Sequence, residues 1–502
     1  MFDAAFQVIA VLVYSFVLLV GLGMLVLATL FVKDVSQTRN AIRRNFPVIG
    51  RFRGLFERLG EFFRQYFFAM DREELPFNRA ERSWVDRASL GADNTIAFGS
   101  TRDLRPVGTV IFVNCAYPVL ERDVVEPEPV TLGPHCAHPY TTSSPFNISG
   151  MSYGAISRPA TLALSNGARM AGCWLNTGEG GLSPHHLAGG ADIVFQMGTA
   201  KYGVCDEPGK LSEEKLRDMA AHDQVRMFEI KLSQGAKPGK GGILPAVKVT
   251  EEIAAIRGIP AGRDSLSPNR HLEVGSAADL VNLIGRVRSI AGKPTGFKSV
   301  IGACGWLDEL FEEIWKRGVE SAPDFIAVDS GDGGTGAAPM PLMDNVGLPI
   351  RESLPLMVDR LDEYSLRDRI KVIASGKLVT PAEAAWAYCA GADFVASARG
   401  FMFALGCIQA LQCNRNTCPT GITTHNKRLQ RGLNPENKAI RVNRYARQMS
   451  KEIEIIAHSC GVREPRGLRR RHCRIVTETG RSVPLDELYP NVAPTEPQAA
   501  AG

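Results

Sequence analysis

The sequence predicts an α/β protein built on a (β/α)8 barrel, and two observations favour that fold. Past residue 140, short apolar runs of strand type alternate with longer amphipathic stretches of helical type. Most of these runs are followed at once by glycine-rich loops, as expected where the strands of a parallel barrel end. An open, doubly wound parallel sheet remains the alternative. The predicted strands are residues 146–151, 173–177, 193–197, 227–232, 295–301, 325–329, 371–374 and 393–396.

Two of the intervening stretches, residues 307–317 and 381–390, are predicted to be helices of this barrel. The second opens with Thr380, Pro381 and Glu383. This order is typical of a capping box with proline at the first helical position.

The 502 residues leave room for one large domain with attachments. The predicted organisation is a transmembrane anchor (1–35), a basic amphipathic linker and N-terminal extension (36–140), the barrel with a cysteine motif (141–430), and a C-terminal helical extension (431–502). The tail from Pro490 onward is rich in Ala and Pro and is predicted to be disordered. The 11 cysteines form no paired framework, which favours a reducing compartment.

The positive charge is concentrated near the N-terminus. Residues 33–72 hold nine Lys/Arg against four Asp/Glu, which equals the whole net charge of +5. A nucleic-acid-binding protein would carry such charge on its folded body, so the composition argues against that class.

An uncharged apolar run at residues 4–32 is long enough to cross a bilayer with some tilt. A signal peptide would need a positive start and a shorter apolar core, whereas only Asp3 precedes this run. Lys33, Arg39, Arg43 and Arg44 follow it directly, so the positive-inside tendency predicts a single-pass cell-membrane protein with its body in the cytoplasm. Residues 37–68 mix arginines with aromatic and aliphatic side chains, and either lie along the membrane surface or form a solvated helical linker.

Three cysteines, Cys407, Cys413 and Cys418, lie within twelve residues, and a proline follows the last. Because a zinc site usually takes four ligands, three thiolates suit an iron–sulfur cluster better, in particular a three-iron cluster that passes single electrons. Three small buried apolar residues are the alternative, since free cysteine packs well in cores.

Five of the glycine-rich loops are expected to meet at one rim of the barrel. Glycines placed there let backbone N–H groups approach a phosphate or a flat ring closely, although any single loop could be no more than a turn. The loops are residues 149–154, 176–181, 231–239, 331–336 and 375–377.

Two other patterns look like ligand sites but lack the necessary context. Residues 331–336 spell the dinucleotide fingerprint, but Pro339 and Pro341 follow where that fingerprint needs an uninterrupted helix. The pair His185–His186 has neither a carboxylate nor a third histidine at ligand spacing. We therefore expect neither a Rossmann site nor a histidine-bound metal there.

These motifs together resemble the FMN-binding synthase domain of glutamate synthases over residues 145–425, and the chain looks most similar to a shorter, membrane-anchored branch of that family. The segments that carry the resemblance are Gly-Met-Ser-Tyr-Gly-Ala-Ile-Ser at 150–157, Asn-Thr-Gly-Glu-Gly-Gly at 176–181, Glu-Ile-Lys-Leu-Ser-Gln-Gly-Ala-Lys-Pro-Gly at 229–239, Gly-Gly-Thr-Gly-Ala at 333–337 and the three-cysteine motif.

The resemblance implies a barrel holding FMN and a [3Fe-4S] cluster ligated by Cys407, Cys413 and Cys418. Electrons would enter through the cluster and reach the flavin. Reduced FMN would then give a hydride to the imine of 2-oxoglutarate and ammonia, producing L-glutamate. An electron-donor protein, either a ferredoxin-like carrier or a reductase subunit, would supply the electrons.

The resemblance also assigns roles to residues. Lys298 would stabilise the reduced flavin at its pyrimidine edge, and Lys237 and Arg257 would hold the two substrate carboxylates. Glu179 would orient the imine or transfer a proton. Without the resemblance, Lys237 and Arg257 would be interpreted as surface charges and Glu179 as a turn residue. The remaining cofactor-binding candidates are Gly150, Met151, Ser152, Thr177, Gly178, Gln196, Lys231, Gln234, Gly333 and Gly334, with Ser375, Gly376, Ala398 and Arg399 expected to cradle the flavin phosphate.

The sequence departs from the large enzymes of the family in three ways. Their glutaminase domain is replaced by Met1, Phe2 and the apolar run, Gly331 stands where they carry a histidine, and no CxxC cluster is present. Ammonia and electrons are therefore expected from solution or from partner chains.

Three functional hypotheses remain. The favoured one is a glutamate synthase-type oxidoreductase. The second keeps the cofactors with another amine donor or 2-oxo acid, as in N-methylglutamate synthesis. The third is a membrane-tethered flavin and iron–sulfur electron-transfer subunit.

Overall fold

The computed structural model describes residues 2–38, 40–206 and 209–493. Arg39 and most of the tail predicted to be disordered lie outside the described residues. The chain divides into two compact units, Met1–Glu81 and Arg82–Gly502.

The N-terminal unit is helical. It contains α1 (Phe2–Ser36), α2 (Ala41–Asn45), α3 (Gly50–Phe63) and a π-helical turn at Arg64–Phe68. Residues Phe6–Ser36 are long and apolar enough to cross a membrane, a test that a signal sequence also passes. Near the end of α1, the buried carboxylate of Asp34 accepts hydrogen bonds from Arg51 Nη2 at 2.6 Å and Val48 N at 3.0 Å. This ion pair joins the start of α3 to the end of α1.

The strands of the larger unit form one barrel and three small antiparallel sheets. In chain order they are β1 (Val110–Phe112), β2 (Val130–Leu132), β3 (Tyr140–Thr142), β4 (Phe146–Ile148), β5 (Leu175–Asn176), β6 (Ile193–Met197), β7 (Val225–Lys231), β8 (Ile243–Leu244), β9 (Ser265–Leu266), β10 (Thr295–Val300), β11 (Phe325–Asp329), β12 (Lys371–Ser375), β13 (Phe394–Ser397), β14 (Cys473–Val476) and β15 (Ser482–Pro484).

Strands β4–β7 and β10–β13 are parallel and close into an eight-stranded barrel, which confirms the predicted fold and rules out the open sheet. The ring closes where β13 pairs with β4, with Val395 opposite Phe146. Each of the eight predicted runs overlaps one barrel strand, with boundaries that differ by up to three residues. The first is shorter than predicted and ends at Ile148, because Ser149 and Gly150 already belong to the following loop.

The helices of the larger unit connect these strands and cover the barrel. They are α4 (Arg79–Leu90), α5 (Arg158–Ala171), α6 (Pro184–Leu187), α7 (Glu213–Ala220), α8 (Glu251–Arg257), α9 (Ala277–Ala291), α10 (Gly305–Arg317), α11 (Met340–Met343), α12 (Ile350–Glu363), α13 (Pro381–Cys389), α14 (Arg399–Leu405), α15 (Lys427–Gln430), α16 (Pro435–Ser459) and α17 (Leu485–Leu488). The predicted helices correspond to α10 and α13. The predicted capping box of α13 is confirmed, since Thr380 N donates to Glu383 Oε2 at 3.0 Å.

The dinucleotide-like segment 331–336 is a loop after β11 in this closed barrel. Only the four-residue α11, which begins after Pro339 and contains Pro341, follows this loop closely, and the longer α12 begins at Ile350. The rejection of a Rossmann site on sequence grounds therefore agrees with the fold.

One end of the barrel is closed by the β2–β3 hairpin. Leu132 and Tyr140 of this hairpin join Trp174, Phe325 and Phe394 in one buried apolar cluster. These three partners lie near the amino-terminal ends of their strands, so the hairpin covers that end. At the opposite end of the barrel, the carboxyl-terminal ends of the strands lead into the loops that carry the predicted site residues.

The C-terminal region packs against the barrel's outer layer and adds a small sheet. Helix α16 lies along α5, and Gly167 permits this approach, since a Cβ there would come within 2.4 Å of Val442 Cγ1. Strands β1, β14 and β15 form a three-stranded antiparallel sheet. Sequence reasoning predicted a helical extension here and did not predict this sheet.

Candidate functional site

A pocket opens at the carboxyl-terminal ends of the barrel strands. Ten of the fifteen predicted cofactor-binding residues line it, from seven of the eight strand ends or the loops that follow them. These ten are Gly150, Gln196, Lys231, Gln234, Lys298, Gly334, Ser375, Gly376, Ala398 and Arg399.

The other five predicted residues support the walls of this pocket. Gly178 packs so closely on the first loop that a Cβ there would lie 2.4 Å from Ser152 N. Thr177 Oγ1 accepts a hydrogen bond from Gln196 N at 3.0 Å. The last two are Met151, which is buried, and Gly333, which packs against the carbonyl of Ser330.

Glycines let two loops close over the pocket. Gly376 has φ of +108°, and a Cβ there would lie 2.4 Å from Ser330 Cβ. A Cβ on Gly334 would lie 2.8 Å from Arg399 Nε. Side chains at either position would therefore displace their neighbours or fill space that a bound group could use.

A buried ion pair lies on the inner wall of the barrel. Lys298 Nζ, on β10, is 3.2 Å from Asp329 Oδ2, on β11. The same oxygen accepts a hydrogen bond from Gly235 N at 3.0 Å. Burial lowers the pKa of Lys298, but Asp329 and Glu229 outweigh it, so the pKa stays above its usual value. Lys298 is therefore a permanent cation at the pocket wall.

The neighbouring wall is a fixed polar network around Glu229 on β7. Its Oε1 accepts hydrogen bonds from Asn176 Nδ2 at 2.9 Å and from Gln196 Nε2 at 2.6 Å. Asn176 Oδ1 in turn accepts from Gly178 N at 3.0 Å. The orientation of the Gln196 amide is thus set before any ligand binds.

The three predicted catalytic residues lie in one electrostatic group beside this pocket. Glu179 Oε1 is 2.9 Å from Lys231 Nζ, and Glu179 packs against Gly198 and Gly242. Burial raises the pKa of Glu179, but Lys231, Lys237 and Arg257 together outweigh it and lower the pKa. Glu179 is therefore ionised.

Lys237 carries an ammonium that this group leaves weakly compensated. Its side chain is buried, and burial lowers its pKa to about 8 in spite of the opposing effect of Glu179. A buried cation of this kind binds an anion readily, because the anion replaces the water that burial removed.

Arg257, at the end of α8, braces the first loop. Its Nη1 donates to Ser265 Oγ at 3.1 Å and its Nη2 donates to Tyr153 O at 3.3 Å. The guanidinium lies over the Tyr202 ring, and its buried Nε has no partner among the residues described. Burial lowers the pKa of Arg257. This geometry supports a bracing role and leaves the Nε–H of Arg257 available to a ligand.

The two histidines that resemble metal ligands have other partners. His185 Nε2 is 2.7 Å from Glu252 Oε1, whose other oxygen accepts from Tyr153 Oη at 2.7 Å. His186 Nδ1 accepts from Ser183 N at 3.1 Å, which caps α6.

The three motif cysteines lie in one loop after α14, close enough to influence one another. Burial raises the pKa of Cys407 to about 12, and Cys413 and Cys418 add to that rise. Backbone and hydroxyl donors approach two of the sulfurs, with Gln409 N 3.4 Å from Cys407 Sγ and Thr420 Oγ1 3.4 Å from Cys418 Sγ. Within the described ranges, no three Cys, His, Asp or Glu side chains converge tightly enough for a single ion.

Five further residues of the pocket were not predicted as site residues, although two of them, Ser149 and Lys377, lie in loops predicted to meet at the rim. Ser149, Asp329, Lys377, Val379 and Ser397 also line the pocket. The sequence did indicate Asp329 and Ser397 as site residues, because a polar residue at the end of a barrel strand faces the catalytic rim. For Lys377, the signal was its place directly after Ser375 and Gly376.

Comparison with known proteins decides the family. Residues 109–463 match the family described as "Conserved region in glutamate synthase". The chain belongs to the glutamate synthase family. It is an oxidoreductase of the glutamate synthase type, and its pocket lies at the carboxyl-terminal ends of the barrel strands.

Individual relatives agree with this assignment. The chain is 37% identical to the glutamate synthase large subunit-like protein YerD of Bacillus subtilis (strain 168), over 96% of this chain and 99% of that protein. It is 35% identical to the archaeal glutamate synthase [NADPH] of Methanocaldococcus jannaschii, over 66% of this chain and 62% of that protein.

Among solved structures, a mandelate oxidase with benzoyl-formic acid superposes with a TM-score of 0.44 at 16% identity, covering 73% of this chain and 87% of that one.

Proposed function

We propose that this protein binds FMN and reductively aminates 2-oxoglutarate to L-glutamate, by hydride transfer from reduced FMN to 2-iminoglutarate. The observation that carries the proposal is the pocket itself. It combines a permanent cation, Lys298, with a glycine-lined rim and an adjacent group of one carboxylate and three cations.

The residues present fit FMN. Gly334 and Gly376 leave space that a Cβ would fill, which suits the close approach of a phosphate or a ring. Ser375, Gly376, Ala398 and Arg399 would hold the phosphate, and Lys298 would lie at the pyrimidine edge. Gly150, Gln196, Lys231, Gln234 and Gly334 would complete the site, supported by Met151, Ser152, Thr177, Gly178 and Gly333. Bound FMN would supply hydride transfer, and Lys298 would favour its anionic reduced form.

The same group of charges suits a dicarboxylate. Lys237 would bind one carboxylate of 2-oxoglutarate as a charge, and Arg257 would approach the other with its free Nε–H. Glu179 is held ionised against Lys231, so its charge would orient the ammonium or the protonated imine nitrogen, and it would take part in proton transfer there.

The cysteine loop, which follows α14 and holds Cys407, Cys413 and Cys418, fits an iron–sulfur cluster better than a single ion. A zinc site usually takes four ligands, whereas a three-iron cluster takes three thiolates, and this loop supplies three cysteines close enough to influence one another. We propose that Cys407, Cys413 and Cys418 ligate a [3Fe-4S] cluster, which would supply one-electron transfer from a ferredoxin-like carrier or a reductase subunit.

The apolar α1 supports a membrane location. We propose that α1 crosses the cell membrane once and that the cations following it keep the barrel in the cytoplasm. Ammonia would come from solution or from a partner that hydrolyses glutamine.

The test uses the full chain in detergent, purified anaerobically, with the flavin reduced by light. Rapid reoxidation on adding 2-oxoglutarate with ammonium is the expected result. Reoxidation with methylamine in place of ammonium would instead indicate an N-alkylglutamate product. No response to any 2-oxo acid and amine would overturn the synthase proposal and favour an electron-transfer subunit.

Two variants make this test specific. Lys237→Met should weaken 2-oxoglutarate binding at least tenfold, because the substrate carboxylate loses a buried cation. Lys240→Met, an exposed lysine three residues further along, is the matched control and should behave as the wild type.

A further inference from the structure

Lys248 is a buried lysine at the contact between the cysteine loop and the first loop of the barrel. It ends a short 3-10 turn, Ala246–Lys248, that precedes α8. Its side chain is only 2% exposed, so its ammonium must find its partners inside the protein.

The partners of Lys248 come from two different loops. Its Nζ donates to Ala155 O at 2.6 Å and to Cys413 O at 3.2 Å. Ala155 belongs to the tight turn after β4, since its own N–H donates to Ser152 O at 3.0 Å. Lys248 therefore bridges the loop that carries Ser152 and the loop that carries the cysteines.

Other contacts join the same two regions without bringing charge. Ser157 N donates to Ile422 O at 2.8 Å, and His425 Nε2 is 2.8 Å from Gly154 O. Asn416 Nδ2 donates to Val247 O at 3.3 Å. These neutral contacts show that joining the two loops does not by itself require a charge, so the charge at this position needs a separate reason.

That reason lies in what compensates the charge. Among the residues described, Lys248 Nζ pairs with no carboxylate, and its two hydrogen bonds place the ammonium directly beside the backbone of Cys413. Three other buried lysines differ, whereas Lys293 also donates only to carbonyls. Lys201, Lys231 and Lys298 each pair with a carboxylate at 3.2 Å or less.

Resting on the cluster proposed above, we infer that Lys248 is a positioning residue that supplies the counter-charge of the iron–sulfur site and holds its loop against the loop of the flavin pocket. Neutral thiols need no counter-charge, whereas thiolates around a cluster do. A cation held beside such a cluster stabilises its reduced form and raises its reduction potential.

Three substitutions separate the charge from the hydrogen bonds. Lys248→Met removes both, Lys248→Gln keeps a donor without charge, and Lys248→Arg keeps the charge. The matched control is Lys293→Met. Lys293 is also buried and also donates only to carbonyls, at Ala220, His222 and Val225, but it precedes β10 at the other end of the barrel.

The first measurement is the midpoint potential of the cluster, from a redox titration of the full chain followed by electron paramagnetic resonance. In Lys248→Met and Lys248→Gln, the equilibrium for reduction should fall at least tenfold, which is 59 mV for one electron. Lys248→Arg and Lys293→Met should stay within threefold of the wild type. The proposal that Lys248 supplies the counter-charge is overturned if the potential of Lys248→Gln is unchanged. It is also overturned if Lys293→Met shows an equal fall.

The second measurement needs no cluster. Amide hydrogen exchange of residues 407–418, in protein purified without iron, should be at least tenfold faster in Lys248→Met than in Lys293→Met. Equal exchange overturns the bridging role. A wild-type chain that holds no iron after anaerobic reconstitution overturns the counter-charge and the cluster proposal together, while the FMN proposal is judged by flavin reoxidation.

Discussion

Replacing Lys298 by Met removes one partner of the buried ion pair on the barrel's inner wall. The change leaves Asp329 buried, with the N–H of Gly235 as its remaining hydrogen-bond donor at 3.0 Å. Removing one partner of a buried pair typically costs about 3–5 kcal/mol, because the other charge stays desolvated. The remaining donor at Gly235 places the expected loss at the lower end, about 3 kcal/mol.

The assay is urea unfolding of the full chain in detergent, without added FMN, followed by far-ultraviolet circular dichroism. With a slope of about 3 kcal/mol per molar urea, this loss lowers the midpoint by about 1 M. Lys298→Met should also bind FMN more weakly, since the pocket loses its permanent cation.

The double variant Lys298→Met with Asp329→Asn supplies the control. Asparagine has nearly the same shape and can still accept from Gly235 N, but it carries no charge, so most of the lost stability should return. Two results would refute this reasoning: an unshifted midpoint in Lys298→Met, or a double variant that is no more stable than Lys298→Met. Either would show that Asp329 pays no desolvation penalty when Lys298 is lost.

Three further predictions concern the rim of the pocket, its charges and the cysteine loop. Gly376→Ala should abolish FMN retention after gel filtration, because φ of +108° and the contact with Ser330 leave no room for a Cβ; retention equal to the wild type would contradict this. The affinity for 2-oxoglutarate should fall as the pH rises through about 8, where Lys237 loses its proton, and Lys237→Arg should move that fall to higher pH. Titrations of flavin absorbance from pH 6 to 9 measure this affinity. An affinity that does not change with pH would exclude Lys237 as the ligand. Cys413→Ala should lose its iron and keep its FMN by elemental and absorbance analysis, and wild-type iron content would rule out the proposed ligand set.

The sequence was sufficient for features set by short-range patterns. Apolar runs of strand length, most of them followed by glycines, located all eight barrel strands, and the order Thr380-Pro381 with Glu383 located the start of α13. The pocket residues could be predicted for the same reason, because closing a parallel barrel brings every strand's carboxyl end to one rim. The sheet of β1, β14 and β15 was missed, since its strands of three or four residues come from segments more than 350 residues apart.

The charged residues of the site show the same division between what the sequence determines and what the tertiary structure decides. The sequence by itself determined the barrel, the rim that carries the site, and which lysines and carboxylates could serve there. Only the tertiary structure decided which of them are partners: Lys298 with Asp329, Lys231 with Glu179, and Lys248 with the cysteine loop. The physical reason is that a charge's partner and its burial depend on loops and strands distant in sequence, whereas strand and helix patterns are local.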